Sequence, residues 1–104
     1  MIRAVFSISG GDVNGFSVCG HSGYADSGSD IVCAAVSAMT MLTVNTVTEV
    51  IKADAEVECD ESEASVLFRL LDGNDCARHI IKGFYCELCA LSDEYPDFIA
   101  VTSE

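Results

Sequence analysis

Residues 20–39 read GHSGYADSGSDIVCAAVSAM, and the rest of the chain is organised around this stretch. His21 ends a strand-like run, a Gly/Ser-rich loop follows, and an apolar helix then begins with Cys33 near its start. His21 and Cys33 are twelve residues apart, too far to be neighbours on one helix but within reach of each other across a folded loop. A thiol in the first turns of a helix feels the positive end of the macrodipole and the free N–H groups there. That setting takes a thiol pKa from ~8.5 toward ~3.5–7.5, and a nearby imidazolium takes it further down. A Cys and a His delivered this way are the minimal kit for covalent catalysis by a thiolate. The competing reading is a small hydrophobe in an apolar helix, with an unrelated histidine upstream.

Upstream, Ile2 to Ile8 places Ile2, Ala4, Phe6 and Ile8 against Arg3, Val5 and Ser7, the period of a strand with one buried face. Gly10-Gly11-Asp12 is turn chemistry. Asn14 to Gly20 returns with Phe16 and Val18 on one face, so the two runs read as a hairpin with His21 at its exit. The loop Ser22 to Ser29 lacks the Gly-Lys-Ser/Thr of a phosphate-binding loop, and Gly20-His21-Ser22-Gly23 lacks the spacing of a serine nucleophile elbow. With Tyr24 as its one large anchor, this loop is expected to be mobile without a substrate. Ser27-x-x-Asp30 fits a variant capping box, and Ser29 or Asp30 serves equally as the N-cap. Asp30 also stands close enough to orient His21.

Downstream, apolar residues surround the helix from Ile31 to about Ile51, which predicts a central helix buried on several sides. Asp54 to Cys59 is a strand with Glu56 and Glu58 outward and Ala55, Val57 and Cys59 inward. Ala64 to Leu70 returns with Val66, Phe68 and Leu70 inward, and Arg69 is placed to pair across with a Glu. Asp72-Gly73-Asn74-Asp75 ends that strand and caps a second helix, whose Ala77, Ile80, Ile81, Phe84, Leu88 and Leu91 recur at helical spacing. Pro96 closes the region, and Phe98 to Val101 is a last strand. The expected fold is α/β of the α+β type, β-β-α-β-β-α-β, with a mostly antiparallel sheet and two helices packed on it.

A chain of 104 residues fits one domain, 1–104, with a core of its own. Seventeen acids against five bases give a net charge of −12, which disfavours nucleic acid and anionic membranes as partners and suits a basic one. The N-terminal apolar run is too short for a signal peptide. The apolar segment Ile31 to Val44 carries Ser37, Thr40 and Thr43 and falls short of the ~20 residues that span a bilayer. The six Cys are therefore read as reduced thiols in a cytoplasm. Cys86-x-x-Cys89, with Cys76 and His79, suggests zinc, but one helix spreads thirteen residues over ~20 Å, and zinc bonds are ~2.3 Å. No metal is assigned, Cys19 and Cys59 are read as inward strand residues, and His79 as solvated.

Gly20-His21, Gly28-Ser29-Asp30-Ile31-Val32-Cys33-Ala34-Ala35 and Ser37-Ala38 together resemble the signature of the ribosomal-processing cysteine protease family of bacteria. The resemblance extends to the order of elements along the whole chain. It implies a cysteine endopeptidase with Cys33 as nucleophile and His21 as general base. Asp30 is then an orienting or helix-cap residue, and Gly20, Ser22, Gly23, Tyr24, Gly28 and Ser29 form the substrate loop. Backbone N–H groups at the helix start would hold the oxyanion. The resemblance further implies a homodimer without cofactor, cytoplasmic, acting in ribosome biogenesis. Its substrate would be the N-terminal extension of one large-subunit ribosomal protein, the twenty-seventh. A non-enzymatic ribosome-associated binding protein, and a thiol transferase or redox protein using Cys33, are the other readings.

Overall fold

Alternation in the first two runs produces a hairpin of β1 (Ile2–Ser9) and β2 (Asp12–Cys19), the centre of a five-stranded sheet. The computed structural model describes residues 1–26 and 30–104. After β2 come helix α1 (Ile31–Asn45), a π-helical turn (Thr46–Ile51), β3 (Ala55–Asp60), β4 (Ser65–Leu70), α2 (Asp75–Glu94) and β5 (Ile99–Ser103). The sheet order is β3-β4-β2-β1-β5, antiparallel throughout except for β5, which lies parallel to β1. The mixed sheet with two helices is the α+β arrangement expected from the sequence.

One face of the sheet carries Ile2, Ala4, Phe6, Phe16, Val18, Phe68 and Ile99, all nearly inaccessible to solvent. Onto it α1 lays Val32, Val36 and Val44, and α2 lays Ala77, Ile81, Phe84 and Leu88. A bulge adjusts the register: Ser7 faces Gly15 but Ile8 faces Val13, which leaves Asn14 as an extra residue. Without it, strict alternation would send Val13 to the face opposite Phe16; with it both are buried. The sequence pattern, begun at Asn14, did not reveal this.

Both helix starts are capped as the sequence suggested. The Asn74 side chain accepts from the Ala77 amide (2.9 Å), and Asp30 does the same for the Cys33 amide (2.9 Å). Four threonine hydroxyls in and just after α1 (Thr40, Thr43, Thr46 and Thr48) each donate to the carbonyl four residues back, at 2.6–3.0 Å. Such side-chain bonds compete with the backbone ladder and bend helices, and the ladder widens to π spacing from Thr46. Counting that turn, the helical run Ile31–Ile51 has 21 residues and is long and apolar enough to cross a bilayer by those measures alone. This corrects the shorter Ile31–Val44 span; the core helix of a folded domain passes the same test, and here Val32, Val36, Val44 and Val47 are buried in the core.

Two expectations change. The apolar circumference of α1 is wider than the surface covering it: Ile31, Met41 and Leu42 are exposed, as is Val50 on the π-turn. Val57 and Cys59, expected inward, are exposed, because β3 is the edge strand and extends beyond the cover of the helices. Cys19 is half-buried. Arg69 pairs with Glu56 across β3 and β4 at 3.0 Å, an exposed contact of little energetic weight.

Candidate active site

Strand β2 carries the chain into the site. Gly20 follows it with φ +93°, and a Cβ there would lie 2.6 Å from the Met1 carbonyl oxygen. Only glycine tolerates both conditions. Its N–H donates to the Ala64 carbonyl at 3.2 Å, tying the turn to the β3–β4 hairpin. His21 leaves this turn exposed to solvent. Cys33, third residue of α1, is half-buried.

Ser22 connects the two segments and is only 3% exposed. Its N–H donates to Cys33 Sγ at 3.2 Å, and its hydroxyl donates to Asp30 Oδ2 while accepting from the Tyr24 N–H at 3.1 Å. The Cys33 thiol in turn lies 3.5 Å from Ser22 Oγ. Asp30 is fully engaged by Ser22, the Cys33 amide and, at 3.4 Å, the Ala25 amide. The Ser22 hydroxyl foremost holds the Asp30 carboxyl down to about 2, against desolvation, which raises it, and with lesser help from the Cys33 and Ala25 amides. Asp30 is therefore ionised at neutral pH and spends its oxygens on the cap and on Ser22. Among the described residues, no hydrogen bond or ion pair joins it to His21.

His21 and Cys33 line the same groove, a hollow of about 420 Å³ between α1 and the β3–β4 hairpin. Val36, Thr40 and Met41 form its helical wall, Val18 and Val66 its floor, and Asp60 and Glu61 its acidic rim. The same His and Cys also line a second hollow, on the other side, with Gly23, Ala25, Asp30, Ala34 and Ser37. A larger hollow of about 560 Å³ lies over the uncovered sheet face near Ser7, Ser17 and Leu67, with no Cys or His among the described residues on its walls.

The structure thus brings together His21, Ser22, Asp30 and Cys33. Gly20 belongs to the strand exit rather than the loop, and Gly28 and Ser29 lie outside the described residues, as does Ser27 of the suggested capping box. The expected free loop has two anchors within its described part: buried Ser22, and Tyr24, whose ring stands edge-on to Tyr95 and Phe98 at 5.7 and 5.2 Å. The oxyanion expectation narrows, since the Cys33 amide already serves Asp30. The groove wall went unread in the sequence, although Ser37, Thr40 and Met41 follow Cys33 at i+4, i+7 and i+8, the spacing of one helix face. The far wall, Cys59 to Val66, had no local signal. Cys76 and Cys86 are exposed, and among the described residues no three metal-ligating side chains form a cluster.

A thiol at a helix start, on a groove that a histidine also lines, is equipment that cysteine hydrolases use. The chain belongs to the family described as cysteine protease Prp, which it matches over residues 1–100. It is similar over 100% of both chains to an essential ribosomal processing protease Prp from S. aureus, solved with a covalently linked product peptide, at 25% identity and a TM-score of 0.94. A structure of the S. aureus protease with a substrate peptide matches at 24% identity and a TM-score of 0.88, again over 100% of each chain. SMU.848 from Streptococcus mutans matches at 25% identity, covering 99% of this chain and 93% of that one, with a TM-score of 0.84. No curated protein sequence matches the chain.

Proposed function

We propose that this cysteine protease works through a dyad of Cys33 and His21 on a ribosomal protein precursor. The observation that carries the reading is Cys33 Sγ at the N-terminus of α1, on the groove that His21 also lines. The thiol proton passes to the imidazole and the sulfur attacks the peptide carbonyl carbon. The C–N bond breaks as His21 returns the proton to the leaving amine, leaving a thioester on Cys33. His21 then takes a proton from water, whose oxygen displaces the sulfur and frees the carboxylate product. The substrate is the N-terminal extension of the twenty-seventh large-subunit ribosomal protein of a bacterium, cut in the cytoplasm. Support for a basic protein substrate comes from the net charge of −12 and from Asp60 and Glu61 on the groove rim.

Mass spectrometry after incubation with that precursor tests the assignment. One internal cut that leaves the mature protein intact is the expected result. Tight binding without cleavage would replace it with an adaptor, and a mixed disulfide on Cys33 with a redox protein.

The same reading includes a homodimer. Ile31 and Leu42, about three helical turns apart and so on one side of α1, are 57% and 62% exposed, and Val50 is 75% exposed. A patch of that kind is better buried against a second copy than left in water. Sedimentation at micromolar concentration should give twice the chain mass; a monomer there removes the dimer.

A further inference from the structure

We propose that Ser22 is a positioning residue for the Cys33 sulfur, acting through its hydroxyl bond to Asp30. The proposal rests on a closed ring of contacts. The Ser22 N–H donates to Sγ at 3.2 Å, the Ser22 hydroxyl donates to Asp30 Oδ2, and Asp30 Oδ1 accepts from the Cys33 amide at 2.9 Å. The strand-exit loop and the first turn of α1 are thereby fastened to each other at the reacting atom. The Ser22 side chain is buried and makes no contact with solvent worth the name, so the ring is part of the fold.

The hydroxyl affects the sulfur in two ways that act together. It holds the loop so that the Ser22 N–H stays on Sγ at 3.2 Å, where a donor stabilises the negative charge of an attacking sulfur. It also places a proton against the Asp30 carboxylate, which otherwise presents full negative charge to a neighbouring thiolate. A second contact joins the same pair: the thiol lies 3.5 Å from Ser22 Oγ and can donate to it. A thiol is a weak donor, and the amide contact at 3.2 Å is the shorter of the two. Asp30 is the helix cap, and through Ser22 it also determines how readily Cys33 reacts, without touching a substrate.

Alkylation of Cys33 by iodoacetamide, followed by peptide mapping in the intact protein, is the test. The other titratable groups among the described residues that line these hollows are His21, Asp30, Cys59, Asp60 and Glu61; all are unchanged in the comparison, and peptide mapping separates Cys59 from Cys33. Near neutral pH, Ser22→Ala should react about tenfold more slowly than the parent, the scale of one charge-assisted hydrogen bond. Ser22→Thr and Ser22→Val add the same bulk and differ in the hydroxyl, so Thr should react close to the parent rate and Val as slowly as Ala.

Equal rates for Thr and Val, or a Ser22→Ala protein that reacts like the parent, would overturn the proposal. So would an unfolded Ser22→Ala beside a folded, reactive Ser22→Thr, since that assigns the hydroxyl to stability alone. Because alkylation needs no peptide, the result stands apart from the protease mechanism. A parent that cuts no precursor yet shows the Thr/Val difference would remove the dyad reading and leave the Ser22 assignment in place.

Discussion

Cys33→Ala will leave a folded protein that cleaves no precursor. The side chain loses one heavy atom at a half-buried position, so the helix and its cap at Asp30 persist. The bond-forming atom is gone, and of the six cysteines no other adjoins both a helix start and His21. The fall should be on the order of 10⁴-fold or more, the scale of removing a nucleophile. His21→Ala should cost ~10²–10⁴-fold near neutral pH. Circular dichroism beside a cleavage assay measures both. Full activity in folded Cys33→Ala would end the assignment of the nucleophile.

The largest stability effect should come from Phe6→Ala. Phe6 is fully buried on β1, between β2 and β5, with its ring 5.8 Å from Phe16, 5.6 Å from Phe84 and 4.8 Å from Tyr85. Truncation opens a cavity where the sheet meets α2 and removes one ring from a cluster of tilted and edge-on pairs. The expected loss is ~3–5 kcal/mol, a large share of the ~5–15 kcal/mol that holds a domain together. The melting temperature should fall by roughly 15–30 °C. Leu71→Ala, at a side chain that is 52% exposed, should shift stability by less than ~0.5 kcal/mol. Thermal unfolding of the two variants tests the account of the core; similar melting points would contradict it.

In this member of the cysteine protease Prp family, Cys33 and His21 line one groove, and Ser22 bonds both the sulfur and Asp30. Its hydroxyl fastens the loop carrying the histidine to the cap of the helix carrying the thiol. Reactivity and local stability are then linked through one small residue. That link explains how a loop rich in glycine and serine keeps its first residues in place.

The sequence alone determined the elements, because strands and helices are periodic patterns of burial. Period two in Ile2–Ile8 and Ala64–Leu70, and helical spacing from Ala77 to Leu91, require nothing beyond neighbouring residues to be read. Caps were legible only as short runs, Ser29 or Asp30 for α1 and Asp72 to Asp75 for α2, and the structure selects Asp30 and Asn74. The order of strands, the bulge at Asn14 and the solvent exposure of Cys59 follow from which strand pairs with which, and no local pattern records that. Ser22 shows the difference most plainly. By composition it is one more polar residue in a loop; eleven residues of chain separate it from Cys33, and folding brings its N–H to 3.2 Å from the sulfur. Hydrogen bonds that close over such a span depend on the packing of α1 against the sheet, and only the tertiary structure decides them.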